Sequence, residues 1–194
     1  MDVNEVKQAV AAFKTKYKAF PGDFAEATIR WPSGSTTNGN GDGKLLDATE
    51  CFAAWQHLAL AGMYPGSYDG VPGQATIGKN VPGTAIDDTY FNFWQHTSVN
   101  EIYGRNDISL NFNGVIGAWG GALTGVQAYK FDKKYDDAIA SNGTIYGAKD
   151  YDHSWQDNVC TLGANIYNSD VSGTEILYNP EYDQRHCWMF FWFD

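Results

Sequence analysis

Val3, Val6, Val10, Phe13, Tyr17 and Phe20 recur at alternating steps of three and four. That spacing lays one apolar stripe along an α-helix and fits no strand period. The predicted helix covers 3–20, and Pro21-Gly22 ends it. Lys7, Lys14, Lys16 and Lys18 occupy its other faces. It is already running at Val3, so it reads as a longer helix cut short. From 24 to 37 the pattern is irregular, and 33–43 is a polar, Gly-rich loop. A second helix is predicted over 48–62, with Cys51, Phe52, Trp55, Leu58 and Ala59 on one face. Pro65, Pro72 and Pro82 punctuate 64–83, an ordered surface loop. Strands are predicted at 89–94, 108–112 and 115–119, the last broken by Gly120-Gly121. A third, short helix follows over 123–137, with Thr124 as N-cap and Val126, Tyr129 and Phe131 as its apolar positions. Asn142-Gly143 signals a turn into a strand at 144–148. The stretch 187–193 is too apolar for a loose tail and reads as a buried strand or an association surface. The predicted class is α+β, mainly antiparallel. With no repeat and no linker, residues 1–194 read as one globular domain.

Composition narrows the function classes. The chain has 194 residues, 13 Lys+Arg against 23 Asp+Glu, and a formal net charge of −10. Such a balance argues against a phosphate backbone or an anionic membrane surface as partner. No apolar run approaches the roughly 20 residues that span a bilayer. Twenty-one glycines and 15% aromatics beside only 19% charged residues suit an extracellular, loop-rich domain. Three cysteines leave one unpaired. A Cys160–Cys187 disulfide would close a loop poor in regular structure, worth about 3–4 kcal/mol in the chain-entropy account. Cys51, inside an apolar helical pattern, reads as a small buried hydrophobe.

The sharpest chemical signal is Asn38-Gly39-Asn40-Gly41-Asp42-Gly43. Side-chain oxygens at alternate positions, with glycines for the tight turns, suit a loop that wraps Ca²⁺. Asn38, Asn40 and Asp42 are the candidate side-chain ligands, Lys44 offers its carbonyl, and Asp47 and Glu50 are the acids downstream. Asp47-Ala48-Thr49-Glu50 also has the spacing of a capping box, which would employ Asp47 and Glu50 in starting the second helix. Asp132 and Asp136 share a helix face, with Asp137 beside them, and read as a solvated helix end. His57, His96, His153 and His186 form no zinc pattern. Cys51 and His57 lie on different faces of one helix. No nucleophile elbow, phosphate loop or dinucleotide fingerprint is present. Trp94, Trp119, Trp155, Trp188 and Trp192 suit either sugar stacking or a core built from large residues, and the core is preferred.

Four stretches, taken in order, resemble bacterial type IV pilin-like proteins, the prepilin-type subunits of pili and of type II secretion pseudopili. They are Phe13-Lys14-Thr15-Lys16-Tyr17-Lys18-Ala19-Phe20-Pro21-Gly22-Asp23-Phe24, the Asn38–Gly43 loop, Ala54-Trp55-Gln56-His57-Leu58-Ala59-Leu60-Ala61-Gly62, and Phe131-Asp132-Lys133-Lys134-Tyr135-Asp136-Asp137 before Asn142-Gly143. The resemblance covers roughly residues 3–160. It implies a long N-terminal helix packed on an antiparallel sheet, short extra helices and a C-terminal disulfide loop, which Cys160 and Cys187 would supply. It also implies a precursor held in the inner membrane by an apolar segment upstream, then a filament subunit at the cell surface or outside it. Its partners would be other pilin subunits, with no nucleic acid expected on the headgroup and no catalysis. Some members of that family hold Ca²⁺ in a loop. The competing reading is a secreted carbohydrate-binding module with a structural calcium site.

Overall fold

The computed structural model describes residues 3–32, 34–95, 108–114, 120–149, 160–162 and 175–193. Nine elements follow one another: α1 (Val3–Tyr17), α2 (Ala27–Arg30), α3 (Ala48–Leu60), β1 (Thr89–Gln95), β2 (Ile108–Gly114), β3 (Gly120–Gly121), α4 (Gly125–Tyr135), β4 (Ile145–Lys149) and β5 (Cys187–Trp192). The class is α+β, with an N-terminal helix, a small antiparallel sheet and few helices. The chain falls into two compact units, Met1–Gln95 and His96–Asp194.

In the first unit α1 buries Val3, Val6, Val10 and Phe13 of the predicted stripe, with Ala9 added and Tyr17 half-buried. It stops three residues short of the expected end because Lys18 turns left-handed, with φ at 57°. Phe13 is fully buried among Tyr17, Phe24, Trp31 and His57, a ring of aromatics from helix and loop. Phe20 instead meets a strand, edge-on to Phe93 of β1. Helix α3 is buried almost throughout. Trp55 sits at 0% exposure against Tyr64, Tyr68 and Phe93. Cys51 is buried and free, its thiol pushed up to about 12 by desolvation. The loop after α3 is pinned from inside. Gln56 donates to the Asp69 carbonyl, and Asn80 donates to the carbonyls of Val71 and Gln74.

In the second unit β5 is central, antiparallel to β2 on one side and β4 on the other, while β3 pairs with the end of β2. All six residues of β5 are buried, as a strand covered on both faces requires. Tyr146, Ala148, Trp188, Phe190 and Trp192 form one cluster, and Phe131 of α4 packs edge-on to Phe191. The apolar tail is thus a buried strand. Thr124 caps α4 with a complete capping box to Gln127. The buried positions of α4 are Gly125, Ala128 and Asp132, whereas Val126, Tyr129 and Phe131 are half-buried. The helix is thus turned from its expected face. Gly125 permits this, since a Cβ there would lie 1.9 Å from the Asn179 carbonyl oxygen. Cys160 and Cys187 form the disulfide, with Cα atoms 5.1 Å apart. The strand expected at 115–119, together with Trp119, Trp155, His96 and His153, lies outside the described residues.

Candidate functional site

The Asn38–Gly43 loop is folded by its own side chains. Asn40 Oδ1 accepts from Asp42 N at 2.8 Å, and Asp42 Oδ1 accepts from Lys44 N at 2.9 Å. These are two successive Asx turns. Asn38 Oδ1 reaches back to Thr28 N at 2.8 Å, at the second residue of α2. Gly41 and Gly43 take positive φ, as such turns demand. Gly39 N donates to the Phe24 carbonyl and Gly41 N to the Asp23 carbonyl. The loop therefore lies along the segment that leaves α1.

Two carboxylates close on it. Asp23 Oδ2 accepts from Gly43 N at 3.0 Å, and Glu50 Oε1 accepts from Asn40 N at 3.1 Å. Both residues are almost wholly buried, at 2% and 3% exposure. The second oxygen of each, Asp23 Oδ1 and Glu50 Oε2, is buried with no hydrogen-bond partner. Gly22 brings the two acids together. A Cβ at that position would lie 2.3 Å from the Glu50 carbonyl oxygen. Desolvation raises both carboxyls above their ordinary range, and Asp42 raises both further. The adjacent base does not offset them. His57 Nδ1 accepts from Gly22 N at 2.9 Å, which leaves Nε2–H to donate to the Thr37 carbonyl at 2.7 Å. Burial drives its pKa down to about 4, so the ring is neutral.

Asp47 caps α3, its Oδ1 accepting from Glu50 N at 2.9 Å. Glu50 does not complete the box; its side chain turns into the Asn38–Gly43 loop instead. Among the six residues singled out for metal, Asn38, Asn40, Asp42, Asp47 and Glu50 all have a side-chain oxygen committed to a backbone N–H. Lys44, exposed, gives its N–H to Asp42. Asp23 was missed by the sequence reading. It follows the Pro21-Gly22 break, and no spacing rule ties it to a loop fifteen or more residues away.

A second acidic group sits in the other unit. Asp132, Asp136 and Asp137 present ligand atoms within 4.8 Å of one another and could hold a metal ion. Asp132 is buried, which corrects its reading as part of a solvated helix end, whereas Asp136 is half-buried and Asp137 exposed. The oxygens of Asp132 are taken: Oδ2 by Tyr178 Oη at 2.7 Å and Oδ1 by Ala138 N at 3.0 Å. Asp136 Oδ2 accepts from Thr144 N and Ile145 N, and Asp137 accepts from Ile139 N and Asn142 Nδ2. Burial raises Asp132 to about 6, against the lowering effect of Tyr178.

Comparison with protein-family models, with curated proteins and with solved structures finds no match to this chain.

Proposed function

We propose that this chain is the headgroup of a structural subunit of an extracellular filament, a type IV pilus or a type II secretion pseudopilus. One observation carries the reading. Three of the four stretches that resemble pilin-like proteins adjoin in the first unit, where the first bonds both the second and the third. Phe13 of the first stacks on His57 of the third, at 6.2 Å and 9° between planes. Gly22 of the first bonds the same imidazole, and Asn40 of the second bonds Glu50, four residues before the third begins. Their packing on one another supports reading them together, as parts of one structural module. In this reading the N-terminal helix lies against an antiparallel sheet, and the segment upstream anchors the precursor in the inner membrane. The filament then stands at the cell surface, built with other copies or related subunits. A Ca²⁺ in the Asn38–Asp42 loop is a structural ion, and no reaction is assigned. The tryptophans favour this over a carbohydrate-binding module. Trp55, Trp188 and Trp192 are buried, and no described tryptophan is among the exposed large hydrophobic residues.

The test is made on the full gene product in its own bacterium. Surface filaments are sheared off and probed with antibody to residues 3–194, with immunogold labelling along their length. The expected result is label on filaments, lost when the prepilin peptidase gene is deleted. A protein that is secreted free, with no filament label, overturns the proposal.

A further inference from the structure

We infer that Asp23 and Glu50 are the principal ligands of a Ca²⁺ site, and that the Asn40–Gly43 loop is the lid folded over it. The inference takes up the reading of this loop as a Ca²⁺ loop and changes its ligand set. It does not depend on filament assembly.

A buried carboxylate oxygen without a donor or a cation is costly, and native folds rarely leave one. Here there are two, Asp23 Oδ1 and Glu50 Oε2, on acids whose partner oxygens both bond the same short loop. Asp42 raises the proton affinity of both acids, so it too is near enough to act on each. Two carboxylates thus close on a loop that carries a third. His57 is neutral, and the charged groups acting on Asp23 and Glu50 are acidic: Asp42 on both, with Asp47 and Asp23 on Glu50. Among the described residues the chain supplies negative charge, buried oxygen atoms and backbone N–H groups that hold one side of each carboxylate, but no counter-charge acting on them.

A hard divalent cation fits that environment. Ca²⁺ takes six to eight oxygens at flexible geometry, from carboxylates, amide and backbone carbonyls and water. Asp23 Oδ1 and Glu50 Oε2 are the oxygens with capacity to spare. Asn40 Oδ1 and the Asp42 carboxylate each bond one N–H and retain lone pairs. Zinc is disfavoured, because among the described residues here no thiolate joins the oxygens and the imidazole is occupied at both nitrogens. Asp42, exposed, would close the site from the solvent side. Asp23 follows the end of α1 and Glu50 lies in the first turn of α3, so the ion would clamp those two segments through the loop.

The experiment uses residues 1–194, titrated with CaCl₂ by calorimetry and melted in EDTA and in millimolar Ca²⁺. The variants are Asp23→Asn and Glu50→Gln, which keep an acceptor for Gly43 N and Asn40 N but remove the charge. Wild type is expected to bind Ca²⁺ with a Kd on the order of 10⁻⁵ to 10⁻³ M. Each variant should weaken binding by about tenfold or more, as loss of a charged ligand from a site with few of them predicts. The melting temperatures should cross. In EDTA the variants melt at or above wild type, because a buried uncompensated charge is gone, and in Ca²⁺ they melt below it. A residue with only a structural role would lower the melting temperature in both. Absence of saturable heat from wild type overturns the inference whether or not the variants fold. So does Ca²⁺ binding that survives both substitutions, or that is lost with Asp132→Asn instead.

Discussion

The two units each gather carboxylates around a glycine-bearing turn, and they treat them in opposite ways. In the second unit Asp132, Asp136 and Asp137 gather within 4.8 Å, yet both oxygens of Asp132 and Asp137, and Oδ2 of Asp136, are met by Tyr178, Asn142 and backbone N–H groups. Those bonds shape the turn from α4 into β4. Gly143, at φ 76°, is required because a Cβ there would strike the Asp136 carboxylate. In the first unit Asp23 and Glu50 keep one bare buried oxygen each. What distinguishes the two regions is whether the fold has already used the lone pairs.

The comparison is broken most directly through His57 and Asp132, the titrating groups buried beside each set. His57 falls from its ordinary 6.5 to about 4, because burial opposes its charge. Between those values the unfolded chain takes up a proton that the folded chain refuses. Its contribution is thus fully present above pH 6.5 and is lost as pH falls toward 4, by about 3 kcal/mol in all. Asp132 has the opposite sign. Raised from 3.8 to about 6, it binds its proton more readily folded than unfolded, so its effect weakens the fold as pH rises through that interval. The His57 imidazole should show no NMR titration above about pH 5. An imidazole titrating near 6.5 would mean a cation beside Asp23, and the first region would then carry its own counter-charge.

A smaller change should make the second region resemble the first. Tyr178→Phe leaves Asp132 Oδ2 without its phenol, inside a buried site. An unmet buried acceptor costs about 1–3 kcal/mol. Tyr178 also holds the Asp132 pKa down, so its loss should raise that pKa further. The variant's loss of melting temperature should be larger at pH 8, where Asp132 is ionised, than at pH 5. An equal loss at both would show that the phenol matters for packing over Gly147 and not for the carboxylate.

The sequence made the elements legible where a period ran long enough. The α1 stripe, the Thr124 cap, β4 and the buried β5 follow from local pattern. The α4 face was misjudged because Gly125 and Ala128 carry no hydrophobic signal, and a buried Asp132 runs against it. The first acidic region was half legible. Asn38-Gly39-Asn40-Gly41-Asp42 announced a folded loop, but Asp23 is recruited by a tertiary approach through Gly22. Glu50 looked equally suited to capping a helix. Whether it turns forward to its own helix or back to the loop is decided by Asn40 N, ten residues upstream.

Asp47 offers the smallest effect and the cleanest separation of cap from ligand. Its Oδ1 takes Glu50 N, one of the backbone donors that a helix start cannot satisfy internally. Asp47→Ala should therefore cost about 1 kcal/mol, the usual worth of an N-cap. Thr124→Ala, at the capping box of α4, should cost a similar amount and serves as the reference from the other unit. Neither loss should depend on Ca²⁺, because a cap acts through the helix backbone whether or not an ion is bound. If the cost of Asp47→Ala grows in millimolar Ca²⁺ while that of Thr124→Ala does not, Asp47 is a ligand as well as a cap. The contrast between the two regions would then rest on a fourth carboxylate of the first unit, three residues before Glu50.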